Sequence, residues 1–192
     1  MIKHFAFNKT SIEGLIHIES FDAADERGYF TKDFSKELFS QHGYQYNLEE
    51  VFYTTSHKGV IRALHFQREK QQGKLVRCIY GKIYDVVVDL RLNSKTFGKW
   101  LSFILTGDNK QEILIPSGCA HGYLVLEPSI VSYKCDEKFY GNFDDGILWN
   151  DTSLNIDWPL DQIGGSNKLI LSDKDKSLQT FEEFVTKYKG LK

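Results

Sequence analysis

The sequence predicts an all-β domain, a sandwich or jelly roll, on three observations. Strand-like runs recur at short, even spacing along most of the chain, turn-forming clusters separate them, and helical periodicity is confined to two places. At 192 residues the chain reads as one domain over residues 1–192, long enough to bury a core without staples. There is no internal repeat, low-complexity stretch or linker to divide it.

Taken in order, the first clear strand is residues 15–19, and a helical pattern follows at 35–43. Strands are next predicted at 59–67, 76–80 and 82–90. The last of these, Lys82-Ile83-Tyr84-Asp85-Val86-Val87-Val88-Asp89-Leu90, is dominated by β-branched residues, as suits the middle of a sheet. Further strands are read at 100–105, 112–115, 121–126 and 130–135. Gly81, Asn93-Ser94, Gly107-Asp108-Asn109 and Pro116-Ser117-Gly118 supply the turns between them. In the tail, residues 177–189, Phe181, Phe184, Val185 and Tyr188 fall at i, i+3, i+4 and i+7, the stripe of a helix packed on the barrel.

Composition excludes several classes of function. A net charge of −2 gives no general surface for nucleic acid or other polyanions. No apolar run approaches the ~18–20 residues that span a bilayer, and Met1-Ile2-Lys3-His4-Phe5 lacks the apolar stretch of a signal peptide. Cys78, Cys119 and Cys135 are odd in number and without CxxC spacing, so they read as reduced, semi-buried thiols of a cytoplasmic protein.

The chemistry concentrates in two strings. In Gly59-Val60-Ile61-Arg62-Ala63-Leu64-His65-Phe66-Gln67, followed by Gly73-Lys74-Leu75-Val76-Arg77, neighbouring strands carry an imidazole, a guanidinium and an ammonium. Strict alternation puts Arg62 with Leu64 on one face and His65 with Ala63 and Gln67 on the other, with the small Ala63 leaving room for a ligand. The cations point to an anionic ligand and the histidine to a moving proton. The second string is Pro116-Ser117-Gly118-Cys119-Ala120-His121. This PxGxxH pattern resembles the second half-motif of the cupin superfamily, small double-stranded β-helix barrels. A metal-binding member also needs a His-x-His pair and a Glu in the first half-motif, where this chain has His65-Phe66-Gln67. Two histidines fall short of the three or four ligands of a zinc or non-haem iron site, so no metal or other cofactor is expected.

A longer series of strings resembles the dTDP-4-dehydrorhamnose 3,5-epimerase family over nearly the whole chain. They are Arg27-Gly28-Tyr29-Phe30, residues 59–67, Lys74-Leu75-Val76-Arg77, residues 85–91, Thr96-Phe97-Gly98-Lys99-Trp100, residues 116–126 and Tyr133-Lys134. Residues 146–151, Ile156-Asp157-Trp158-Pro159 and Leu171-Ser172-Asp173-Lys174-Asp175 complete the series. The resemblance implies a cupin-type jelly roll that inverts carbons beside a ketone in a nucleotide-linked 4-keto-6-deoxyhexose. It assigns His65 as base, Asp175 as its partner, Tyr133 as the acid on the opposite face and Lys74 as stabiliser of the enolate. Arg62 would bind the diphosphate, and His121, oriented by Asp85, would line the pocket. Arg27 and Phe30 would reach the neighbouring subunit's site, which implies a homodimer. Asp144 and Lys174 align with further substrate contacts.

Read without the resemblance, most of these residues have ordinary roles. His65 would be a hydrogen-bonded core residue, Tyr133 one of ten tyrosines, and Asp175 a helix cap or loop carboxylate. Trp149 and Trp158 read as packing residues. The chain departs from the family pattern mainly on the nucleotide side. Glu50-Val51-Phe52 stands where the family has Gln-x-Asn, Lys32 where it has Glu, and Ala63 where it has Gly. Lys138-Phe139-Tyr140 stands at a Tyr-Tyr pair. Glu50 and Lys32 are therefore expected at the substrate with altered charge. The rival readings are a single-centre epimerase and a non-catalytic sugar-nucleotide-binding cupin. The 3,4-ketoisomerases of the same barrel carry a His-x-His pair, which Phe66-Gln67 does not supply.

Overall fold

In the computed structural model, which describes residues 2–192, the strands are β1 (Ile2–Lys3), β2 (Ala6–Lys9), β3 (Ile16–Glu19), β4 (Phe21–Asp25), β5 (Gly28–Lys32) and β6 (Glu50–Ser56). They continue with β7 (Ile61–Gln67), β8 (Lys74–Asp89), β9 (Trp100–Thr106), β10 (Gln111–Ile115), β11 (Cys119–Cys135) and β12 (Asp144–Gly146). The α-helices are α1 (Lys36–Gln41), α2 (Asp173–Lys176) and α3 (Phe181–Tyr188).

Two long strands organise the molecule. β8 and β11 pair with each other along their length. Their first and last halves take different outer neighbours: β10 and β6 on one side of a bend, β9 and β7 on the other. Every pair of these strands is antiparallel, so the result is a two-layered jelly roll in which the same two strands run through both layers. The bend lies where β11 shifts register between Val125 and Val131. There Gly81 adopts φ +78°, and a Cβ at that position would collide with the Pro128 carbonyl. The sequence reading ended one strand at Gly81 and began another. Gly81 instead bends a continuous strand, and residues 121–126 and 130–135 are likewise two halves of β11.

Side chains alternate as the pleat requires. Val87, Ile83, Tyr123 and Val131 fill the space between the layers. Val86, Val88, Ala120 and Leu124 face outward beneath the C-terminal segment. That segment contributes Phe184, Trp158 and Leu191, so the predicted stripe of α3 and the packing role of Trp158 are both realised. α3 is closed by a capping box between Thr180 and Glu183. On the opposite layer Phe39 of α1 covers Ile16, Ile18 and Leu75. The three thiols are free and buried, more enclosed than the sequence reading had them. Among the described residues no helix is long and apolar enough to cross a membrane.

Candidate active site

The cavity that collects the predicted chemistry, about 360 Å³, opens into the space between the layers. Arg62, His65 and Gln67 from β7 and His121 from the adjoining half of β11 form one wall. Phe52 and Thr54 of β6, Lys74 of β8 and Tyr133 in the other half of β11 form the opposite one. Asp144 of β12 and the segment carrying Ser172, Lys174 and Asp175 close the mouth.

The wall containing His65 corrects the alternation read from sequence. Across β7 and β11, His121 lies opposite His65 but Tyr123 opposite Arg62, so three steps on β7 match two on β11. This β-bulge brings Arg62 onto the face of His65, while Ala63 and Leu64 turn into the outer core. Ala63 therefore makes no room for ligand. It packs where the strands cross at Gly122, whose missing Cβ would lie 2.5 Å from that of Ala63.

Two histidine–carboxylate pairs stand side by side. His65 Nε2 lies 2.8 Å from Asp175 Oδ1, a short approach without an aligned donor at that oxygen. Aligned or not, such contacts tighten on binding in many active sites. Ser172 caps α2, accepting from the Asp175 amide at 3.0 Å and donating from its hydroxyl to Asp175 Oδ2 at 2.8 Å. Burial raises the Asp175 carboxyl, but the hydrogen bonding and charge of His65, with Ser172, outweigh it and hold the group below its usual range. Asp175 thus engages Nε2 and leaves Nδ1 of His65 as the nitrogen able to take a proton. In the second pair, His121 Nε2 is 2.8 Å from Asp85 Oδ2, fully enclosed. Burial pushes Asp85 up, against the opposing pull of His121 and Lys74.

On the other wall, burial drives the Tyr133 phenol well above its ordinary value, helped by Tyr123 and Asp85 and opposed by Arg62. A phenol in this setting stays neutral and keeps a proton it can give. Burial also lowers the Lys74 ammonium, with Cys135, Asp144, Asp85 and Cys119 pulling it back. The Lys74 ammonium has no hydrogen bond or ion pair to any described residue, which leaves it free to meet an oxyanion. Arg62 donates to Ser56 Oγ at 3.2 Å and has no carboxylate partner among the described residues.

Of the residues the sequence marked, His65, Tyr133, Asp175, Lys74, Arg62, His121, Asp144 and Lys174 line one cavity. Asp144 and Lys174 are ion-paired with each other at its mouth. Asp85 stands behind His121 rather than on the surface. Glu50 does not line the cavity. Its carboxylate accepts from Gln72 Nε2 at 3.2 Å and from the Phe139 amide at 3.0 Å, so it props the loop that carries Phe139 to the mouth. Arg27, Phe30 and Lys32 lie on the exposed β4–β5 hairpin, outside the cavity, where Arg27 pairs with Asp25.

Sequence reasoning marked Phe52 only as a departure from the family on the nucleotide side, and it missed Thr54, Gln67, Gln72 and Ser172. Gln67 and Gln72 pin the 137–143 loop through Lys138 O, Glu137 O and the Tyr140 amide. The β-rich string Val51-Phe52-Tyr53-Thr54-Thr55 carried the signal for β6, and Ser172 two residues before Lys174 the signal for a cap.

The family model for dTDP-4-dehydrorhamnose 3,5-epimerase matches residues 9–183. An enzyme of that name from Methanothermobacter thermautotrophicus is 46% identical over 180 residues, covering 93% of this chain and 96% of its own. A crystal structure of the dTDP-6-deoxy-D-glucose-3,5-epimerase of Legionella pneumophila, in complex with dTDP-4-keto-L-rhamnose, superposes with a TM-score of 0.87 at 36% identity, covering 93% of this chain and 94% of that one. A 3'-monoepimerase from Streptomyces bikiniensis, in complex with dTDP-quinovose, has a TM-score of 0.85 at 28% identity, covering 95% and 90%. With a match across the sequence and a fold and cavity to go with it, this chain belongs to the dTDP-4-dehydrorhamnose 3,5-epimerase family.

Proposed function

We propose that this protein inverts carbons 3 and 5 of a dTDP-linked 4-keto-6-deoxyhexose, in deoxysugar biosynthesis of the rhamnose type. One observation carries the reading: a single cavity holds a carboxylate-backed histidine from one layer and a neutral phenol from the other. Hydrogen on a carbon beside a ketone is acidic enough for a positioned histidine to remove. The C–H bond breaks toward Nδ1 of His65, and its electron pair becomes the carbon–carbon double bond of an enolate. The former keto oxygen takes the charge against Lys74. Tyr133 then returns a proton to the same carbon from the opposite face, which inverts it. Exchange with solvent takes the proton from His65 and restores one to Tyr133 before the second carbon reacts. No redox step is involved, so the reaction needs no nicotinamide.

Arg62 holds the diphosphate, and the Asp144–Lys174 pair at the mouth meets the substrate. Arg27 and Phe30, with Lys32 beside them, act in the site of a second copy. Their exposure on a hairpin remote from their own cavity supports a homodimer in which each subunit completes the other's pocket. The free thiols are in keeping with a cytoplasmic setting.

Proton NMR of dTDP-4-keto-6-deoxyglucose with the enzyme in deuterium oxide tests the reading. Deuterium is expected at both carbons 3 and 5. Entry at one carbon would make this a single-centre epimerase. No entry at either would overturn the assignment to this substrate.

A further inference from the structure

Phe52 carries no group that can exchange a proton or hold a charge, and the mechanism above does not use it. Its position is nevertheless specific. On β6, Val51 and Tyr53 point outward and are strongly exposed, whereas Phe52 and Thr54 line the cavity, as strand alternation requires. Phe52 is the register partner of Tyr133 on β11. The two rings lie flat on each other, with centroids 4.8 Å apart and planes within 11°. Tyr133 is only 7% exposed, whereas the Phe52 ring stacked on it is 40% exposed. The edge of His121 meets Tyr133 separately, with centroids 5.8 Å apart at 72°. The Thr54 hydroxyl is bonded to that of Tyr123 at 2.7 Å, so the aromatic stack sits beside a fixed hydroxyl pair.

An enolate is flat and can be protonated from either side. Inversion requires that the proton come from the acid alone, and a phenol free to swing or open to water does not guarantee this. We infer that Phe52 is a positioning residue for reprotonation: stacked on Tyr133, it fixes the plane of the phenol and keeps water from that face of the enolate. The inference rests on the proposed epimerase reading. It also gives a purpose to an aromatic ring at a position where the family resemblance leads one to expect an amide.

The test compares wild type with Phe52→Leu, Phe52→Met and Phe52→Tyr in deuterium oxide. Deuterium entering recovered substrate is measured against product formed, across a range of pH. In the Leu variant net inversion is expected to fall about tenfold, the scale of a displaced catalytic group. Total exchange should stay within about threefold of wild type, so that the ratio of exchange to inversion rises. The Tyr variant, which keeps a flat ring, should restore the wild-type ratio. The Met variant carries the same expectation as Leu and stands in if Leu does not fold. Exchange and inversion falling together, or a Tyr variant no better than Leu, would overturn the role of Phe52. Wild type that exchanges neither hydrogen would overturn the epimerase reading itself, which keeps the two failures distinct.

Discussion

The two histidine–carboxylate pairs have the same Nε2-to-oxygen distance, 2.8 Å, and opposite electrostatics. His65 is 27% exposed in its side chain, at the mouth of a cavity, and its carboxylate comes from a short helix more than a hundred residues later in the chain. His121 is 3% exposed, and its carboxylate belongs to the neighbouring strand β8. In the first pair the histidine is partly exposed and Ser172 bonds the carboxylate, and there Asp175 is held below its usual range. The second pair is almost fully enclosed, and burial pushes the Asp85 carboxyl up. Distance alone therefore does not identify a catalytic dyad. An ionised carboxylate beside a reachable imidazole makes a base, whereas the same contact in a closed core orients a ring.

Substitutions can break this contrast, and the largest effect should come from His65. His65→Asn is expected to lower turnover by about 10³–10⁴ while nucleotide binding persists. Comparable turnover in that variant would remove His65 from the role of base. Asp175→Asn should cost on the order of 10² in kcat, since the ring loses both its orientation and its negative partner. A change in KM alone would make Asp175 a binding residue. Asp85→Asn is expected to reduce kcat by only about tenfold. A loss as deep as that of Asp175→Asn would erase the difference between the two pairs.

The smallest effect sharpens the comparison through stability. Asp175 has a lowered pKa in the fold, so its stabilising contribution is present above the ordinary carboxylate value of 3.8 and is lost as pH falls through the lowered one. Asp85 is raised, so its contribution is present below 3.8 and is lost as pH rises through the raised value. In thermal melts, the deficit of Asp175→Asn relative to wild type should shrink between pH 7 and pH 3. That of Asp85→Asn should grow over the same interval. Parallel responses would mean that the two carboxylates are in the same state.

Much of this was legible in the sequence where a residue's neighbours in the chain determine its surroundings. Val86-Val87-Val88 is buried on both faces because a central strand has no solvent side. The stripe of α3 names its own buried face. Two things escaped for physical reasons. Alternation fails across the bulge at Ala63, because a bulge is a relation between two strands and leaves no mark on either alone. Glu50 reads as a group for substrate, yet the loop it supports comes from residues nearly ninety positions away. Asp175 was reached through the family resemblance. Its own Lys- and Asp-rich surroundings resemble a solvated loop, and only the Ser172 cap and His65 make it otherwise.

The bent ribbon of β8 and β11 has a consequence for how this protein can change its length. Lys74 and Asp85 lie on one of its strands and His121 and Tyr133 on the other, so four groups of the site are spaced by the rise of about 3.3 Å per residue. One residue inserted in the regular stretch just before Asp85 would turn that carboxylate toward the helix-covered core, and two would carry it about 7 Å along the strand. Variation in length should therefore collect in the hairpin and in the loops that join the strands. Inside the ribbon, insertions and deletions should be absent from any active descendant of this chain.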